Sequence, residues 1–258
     1  MPETDLDLLI QAARAAGEIA TGFSGETARR WEKSDGAGPV TEADLAVNEM
    51  LAGTLRGARP DYGWLSEETE DDLSRLDHES VFIVDPIDGT RSFIEGSRTW
   101  AHALAVARQG VVTAAVVYLP MRDKLYAAAA GEGASLNGAP IHVSGRAEMS
   151  GATMLAAKPN YNPEHWQGEV PALERAYRPS LAYRTSVVAE GRFDAMLTLR
   201  PTWEWDVAAG DLILREAGAV TSDRRAAPLR FNNERPKLDG MLAANPRLHR
   251  EIANALAR

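Results

Sequence analysis

The chain contains no cysteine. Disulfides, thiolate zinc sites and cysteine nucleophiles are therefore excluded. Positive charge is also scarce: 28 Lys and Arg stand against 37 Asp and Glu, a formal net charge of −9. A chain this acidic has no overall attraction for a phosphate polymer, so no nucleic-acid partner is expected. A small anionic substrate would need local compensation, for example from metal ions. No stretch approaches about 18 uncharged apolar residues, so no membrane span is expected. The start, MPETDLDLLI, lacks a basic stretch ahead of an apolar run and does not read as a signal peptide. These absences predict a soluble, cytoplasmic protein. Repeats and low-complexity segments are missing too. No G-x-G-x-x-G follows an early strand, which argues against a dinucleotide-binding protein. No Ser-centred G-x-S-x-G is present. His78, His102, His142 and His165 show no metal-ligand spacing and read as structural or exposed.

What remains is ample for a packed core: 258 residues, 45% of them apolar. Leu8, Leu9, Ala12, Ala16 and Ile19 recur at helical spacing and predict a helix over 5–22, with Thr4 as its N-cap. KSDGAGP (33–39) reads as a loop. Thr41 and Asp44 fit an N-cap with an acid three residues on. They predict a second helix, with Leu45, Val47, Met50, Leu51 and Leu55 on its buried side. SEETEDDLSRLDHE reads as mostly solvated. Val81–Val84 is a short apolar strand, and AHALAVAR, VVTAAVVYL and KLYAAAA form a meander separated by turns. A second half begins near 144–151. It mixes strands (Met154–Ala157, Phe193–Leu197, Gly240–Ala243) with helices (Leu181–Glu190, Glu204–Ala217, Pro246–Ala257). The expected division is 1–145, an α+β half, and 146–258, an α/β half. The expected class is a layered α/β (α+β) sandwich.

The stretch VFIVDPIDGTRSF carries the chemistry. An apolar run ends in two acids three apart, Asp85 and Asp88. Two free carboxylates close together repel and do not both ionise cheaply. A hard divalent cation such as Mg²⁺ removes that conflict, taking carboxylate, carbonyl and phosphate oxygens. Pro86 holds the backbone between the acids, leaving the Ile87 carbonyl as a further ligand. Gly89-Thr90-Arg91 reads as a helix start whose free N–H groups seat an anion. Asp, Pro and Gly are also ordinary turn residues, so a plain turn is the competing reading. Upstream, WLSEET supplies Glu67 and Glu68. Downstream, TWEWDVAAGDLILREAG places Asp206 at a helix start, as cap or as ligand.

GPVTEAD, SEE, DPIDGT and WDVAAGD occur in the order and approximate spacing of the inositol monophosphatase superfamily, which this chain resembles over nearly its whole length. The resemblance implies an alternating α-β-α-β-α sandwich and a Mg²⁺-dependent, lithium-sensitive phosphatase. Such an enzyme hydrolyses a small phosphate monoester with metal-activated water and occurs as monomer or homodimer. It implies two to three Mg²⁺ ions: Glu67, Asp85 and the Ile87 carbonyl at the first, Asp85, Asp88 and Asp206 at the second, Glu67 at a third. Asp44 and Thr90 then position and activate the water. Asp88, Gly89 and Thr90 face the phosphate, and Glu68 neighbours a ligand. Inositol-type members carry a Glu seven residues before the second-metal Asp, where this chain has Leu199. LRPTWEWD and RPSLAYRTSVVAEGRFD instead resemble segments of bacterial 3′(2′),5′-bisphosphate nucleotidases, with Arg184 where they carry Lys. Arg184 is then a grip for a second phosphate, or else a surface cation. Pro179 in place of Gly, and Arg91-Ser92 in place of Lys-Glu, depart from that pattern. Inositol-1-phosphate or another sugar phosphate is the alternative substrate. A non-catalytic metal- or phosphate-binding protein is the alternative class, and the Asp44–Thr90 pair argues against it.

Overall fold

The computed structural model describes residues 3–23, 26–33 and 38–257. Helix α1 (Asp5–Thr21) precedes a short hairpin, β1 (Arg30–Glu32) and β2 (Pro39–Thr41), and helix α2 (Glu42–Ala58). Then come β3 (Gly63–Ser66), β4 (Ser80–Asp88), the short helix α3 (Thr90–Ile94), β5 (Ala101–Arg108), β6 (Val111–Leu119), β7 (Lys124–Ala129), β8 (Ala134–Leu136) and β9 (Ala139–Pro140). The remainder is β10 (Thr153–Ala156), β11 (Glu174–Ala176), α4 (Leu181–Ala189), β12 (Ala195–Thr198), β13 (Thr202–Trp203), α5 (Glu204–Glu216), β14 (Val220–Ser222), β15 (Lys237–Leu238), β16 (Met241–Ala244) and α6 (Pro246–Ala255). Among the described residues, no helix is long and apolar enough to cross a membrane.

Two sheets carry the architecture. Strands β3 to β9 lie side by side in chain order in one sheet, antiparallel throughout except for the parallel β3–β4 pair. The other runs β11-β10-β12-β16-β14. Side-chain alternation then sorts the core. In β4, Phe82 and Val84 pack under α1 and α2, with Leu9, Val47 and Leu51. Val81 and Ile83 face the other way, into a core shared with α4, α5 and the near face of the second sheet, through Leu155, Met196 and Met241. The far face of that sheet packs under α6, with Leu197 and Leu242 against Leu248 and Ile252. The layers are therefore α-β-α-β-α, and β4, covered on both faces, is buried along its whole length.

Helix α2 begins with the capping box expected at Thr41 and Asp44. Its buried stripe differs from expectation, because Leu45 is 44% exposed. The stripe runs Ala43, Val47, Leu51, Leu55, and Leu45 lies about 200° around the helix from Ala43. Asp44, a carboxylate, takes the buried position beside it. The hairpin β1–β2 was not expected; it brackets the 33–39 loop, of which 34–37 lie outside the described residues. The acidic stretch after Ser66 also holds a surprise, Arg75, which is 1% exposed. Helices α4 and α5 lie side by side at very short range: a Cβ at Gly210 would sit 2.2 Å from Thr185 Oγ1, so only glycine fits there.

Candidate active site

Asp85 and Asp88 are three residues apart, so a regular strand would point them to opposite faces. Strand β4 is not regular there. Asp85 pairs with Ala103 and Asp88 with Ala101, so one extra residue bulges out at Pro86–Ile87. Proline has no N–H to give to the ladder, which suits a bulge. Buried His102 on β5 hydrogen-bonds the Pro86 carbonyl through Nδ1, which must carry the proton. Burial pulls its pKa down to about 4, so the ring is neutral. The bulge resets the alternation and brings both aspartates to one side. Asp206, from the first turn of α5, arrives opposite them, and oxygens of Asp85, Asp88 and Asp206 lie within 4.8 Å of one another. No histidine joins this cluster among the described residues.

Each acid is placed by a different element. Oδ2 of Asp88 accepts from Ser180 Oγ at 2.6 Å and from the Ala182 amide at 2.5 Å, so it sits on the N-terminus of α4. Asp44 has a double role. Its Oδ2 accepts from the Thr41 amide at 2.8 Å, closing the cap of α2. Its Oδ1 lies 3.2 Å from Thr90 Oγ1, which is also 3.2 Å from the Ile87 carbonyl. Gly89, between Asp88 and Thr90, has φ +97°, a left-handed conformation that glycine adopts without strain. Glu67 follows β3, and its amide donates to the Val84 carbonyl of β4 at 3.2 Å. Lys33 Nζ bridges Glu67 at 2.7 Å and Glu68 at 2.6 Å.

Crowding the carboxylates raises their proton affinity. Burial, then neighbouring Glu67 and Asp88, holds Asp85 well above the usual carboxylate range. Burial and then Asp88 do the same to Asp206. Burial pushes Asp44 up to about 6 against the hydrogen bonds of Thr41. Asp88 is likewise pushed up to about 6 by burial, with Ser180 and Ala182 opposing. Glu68 reaches about 7 through burial and the charge of Glu67, despite Lys33. One oxygen of Asp85, Oδ1, is buried with no hydrogen-bond partner. A lone buried carboxylate oxygen among other acids is a cost that a cation removes. The donors are all oxygens, which fits a hard metal ion.

These groups line a cavity of about 670 Å3, a size that suits a small molecule. Its floor is Glu67, Asp85, Ile87, Asp88, Thr90 and Asp206. Its rim is cationic and aromatic: Arg91, Arg184, Arg200 and Tyr177. Arg184 is 6% exposed, so the surface-cation reading of it is overturned. Its guanidinium lies 4.4 Å from the centroid of the Tyr177 ring, and its Nε donates to the Arg178 carbonyl. Leu199 does not reach the cavity; it is buried in the core under α6.

Sequence reasoning missed four contributors. Ser180 was signalled, since PSLAY reads as a helix N-cap. Arg200 stands next to Leu199 in LRPTWEWD, with no local pattern that marks it as a cavity residue. Lys33 opens the 33–39 loop, and its sequence neighbours give no sign of the acids it meets. Asn160 lines the cavity from a distant turn, and no local pattern marks it.

The comparisons with known proteins agree with this geometry. The model of the Inositol monophosphatase family matches residues 1–258. An inositol-1-monophosphatase of Rhizobium meliloti is 35% identical over 229 residues, 84% of this chain and 85% of the relative. The Nus factor SuhB of Escherichia coli K12 is 31% identical over the same length, 84% of each chain. Among solved structures, an IMPase of Thermotoga maritima superposes with a TM-score of 0.81 at 26% identity, covering 96% of this chain and 94% of that one. The chain thus belongs to the inositol monophosphatase family, whose members are phosphoric monoester hydrolases.

Proposed function

We propose that this phosphatase is Mg²⁺-dependent, that it uses two to three ions, and that its preferred substrate is a small phosphate monoester bearing a second anionic group. A 3′(2′),5′-bisphosphate nucleotide is the class that fits. The observation that carries the catalytic reading is the convergence of Asp85, Asp88 and Asp206 beside the Asp44–Thr90 pair. In this reading Glu67, Asp85 and the Ile87 carbonyl hold one ion, and Asp85, Asp88 and Asp206 hold a second. Glu67 also serves a weaker third. Mg²⁺, when bound, would supply Lewis acidity, making the water easier to deprotonate near neutral pH and offsetting charge on the leaving oxygen.

The protein's own groups do the rest. Thr90 Oγ1 and Asp44 Oδ1 orient the attacking water opposite the ester oxygen. Asp44 has a proton affinity raised toward neutrality, and it draws the proton away as the new P–O bond forms and the P–O ester bond breaks. The proton held by Asp44 returns through solvent to the leaving alkoxide, and the products are the alcohol and inorganic phosphate. Amides at Gly89 and Thr90 face the phosphoryl oxygens.

The rim supports the substrate class. Among the described residues, every carboxylate lining the cavity belongs to the ion-binding set, and none of them is left over to grip ring hydroxyls. Arg184 and Arg200 offer charge-assisted donors to a second phosphate instead. Inositol 1-phosphate is the second reading, favoured by the names of the curated relatives. Phosphate release from adenosine 3′,5′-bisphosphate, inositol 1-phosphate and fructose 1,6-bisphosphate, with and without Mg²⁺, tests both. The expected order of kcat/KM places the bisphosphate nucleotide first. A preference for inositol 1-phosphate overturns the substrate class. Full activity after metal removal in excess chelator overturns the mechanism.

A further inference from the structure

Glu204 stands two residues before Asp206, at the first position of α5, and is fully buried. An acid there reads as a partner for the helix dipole, but its contacts point elsewhere. Its Oε2 accepts from the Asn232 amide at 2.6 Å. Its Oε1 accepts from the Asn233 amide at 3.0 Å and from Asn233 Nδ2 at 2.6 Å. Its own amide donates to the Pro236 carbonyl at 3.0 Å. The segment 232–238 is thus tied across the start of α5, and the pairing of Trp203 with Lys237 continues the tie.

The same segment is gripped from the opposite side by Arg75. Its guanidinium donates to Asn232 Oδ1 at 2.6 Å and to the Asn233 carbonyl at 2.9 Å, while Asp71 accepts from it at 2.8 Å. Arg75 also packs against the start of β3: a Cβ on Gly63 would lie 2.9 Å from Arg75 Cα. Strand β3 leads directly to Glu67. A buried carboxylate and a buried guanidinium therefore clamp one dipeptide, Asn232-Asn233, between them. One is rooted in the helix that bears Asp206, the other beside the strand that delivers Glu67.

We infer that Glu204 is a positioning residue for the metal centre, holding the first turn of α5 so that Asp206 meets the ions that Asp85 and Asp88 also hold. This rests on the metal reading of the site given above. Glu204 touches neither substrate nor ion. Its effect passes through Asn232 and Asn233 to Arg75, and so registers the two ends of the acidic floor against each other. A carboxylate is needed because two oxygens receive three N–H donors. The amide of Gln would turn an NH2 group toward a backbone N–H or toward Asn233 Nδ2.

The test is Mg²⁺ binding to the full-length protein by calorimetry, together with melting temperature, for Glu204→Gln, Asn233→Ala and Ile252→Ala. Ile252 lies in the core under α6, away from the cavity, and controls for general destabilisation. Glu204→Gln is expected to weaken Mg²⁺ binding about 10-fold, the lower end for groups that orient metal ligands. Asn233→Ala removes one of the three donors and should weaken it about 3-fold. Ile252→Ala should melt earlier with Mg²⁺ affinity unchanged. Glu204→Gln that melts earlier but binds Mg²⁺ like the unmutated protein reduces Glu204 to a structural residue and overturns the inference. If Glu204→Gln does not fold, unchanged affinity in Asn233→Ala overturns it equally. Failure of the unmutated protein to bind Mg²⁺ instead sinks the metal reading itself.

Discussion

The floor and the rim of the cavity are built by different means. The floor is fixed largely by backbone: a bulge in β4, a left-handed glycine and an amide at the N-terminus of α4 place its acids. The rim is fixed by side chains lying on side chains and carbonyls, as Arg184 lies on Tyr177. Backbone devices leave little room for change without moving a strand or a helix. Side-chain packing can be rebuilt residue by residue. In the proposed reading, the reaction is written into the fold, whereas the choice of ester is written in the rim of its cavity.

Four measurements break or sharpen that contrast. Asp88→Asn and Asp206→Asn should each lower kcat at least ~100-fold with the fold intact, since in the proposed mechanism each removes a charged ligand. Near-normal turnover of either at saturating Mg²⁺ would remove that residue from the floor. Thr90→Ala and Asp44→Asn come next, expected to lower kcat roughly 10- to 100-fold with KM little changed, because the proposed mechanism has both acting on the water. A raised KM at unchanged kcat would reassign the pair to substrate positioning.

The rim should show smaller and selective effects. Arg184→Ala is expected to cost roughly 1.5 kcal/mol in kcat/KM, ~10-fold, for adenosine 3′,5′-bisphosphate, the scale of a hydrogen bond to a charged group. Inositol 1-phosphate, with no second phosphate, should lose much less. Equal losses on both esters would make Arg184 a packing residue.

The smallest effect is a pH dependence of the buried acids. Asp44 and Asp88, pushed up to about 6, hold protons in the folded metal-free protein at pH values where the unfolded chain, with ordinary carboxylates, has released them. The folded state is then favoured at the lower pH, and metal-free stability falls as pH rises from about 4 through 6. Mg²⁺ competes with those protons, so the rise in melting temperature on adding Mg²⁺ should grow over the same window. An equal rise at pH 5 and pH 8 would contradict the raised proton affinities.

The floor was more legible than the rim for a physical reason. Asp85, Asp88 and the glycine that follows lie within five residues because one bulge spans them. Asp44 was visible twice, as the N3 acid of a capping box and in GPVTEAD. The layers could be read from apolar runs bounded by turns. The bulge itself could not: a spacing of three in a strand is silent until the partner register of β5 is known. Arg75 was hidden by its company, since a run of acids reads as solvated and only the distant Asn232–Glu234 segment shows why one cation in it is buried. Arg200 and Asn160 meet Arg184 only through the tertiary fold. The misplacement of Leu45 was a matter of phase, with Asp44 occupying the position an apolar residue would ordinarily take.

The contact at Gly210 has an outcome for how this protein tolerates change. Gly210 has no chemistry and lies one turn beyond Asp206, inside the interface of α4 and α5. Any larger residue must push one helix off the other, and the two helices carry Asp206 on one side and the seat of Asp88 on the other. A saturation scan scored on growth or turnover should therefore find position 210 as unforgiving as the acids themselves. A scan scored on folding alone should rank it among ordinary core positions. A chain can thus lose this activity through an inert residue, and inspection of the reactive groups alone would call such a variant intact.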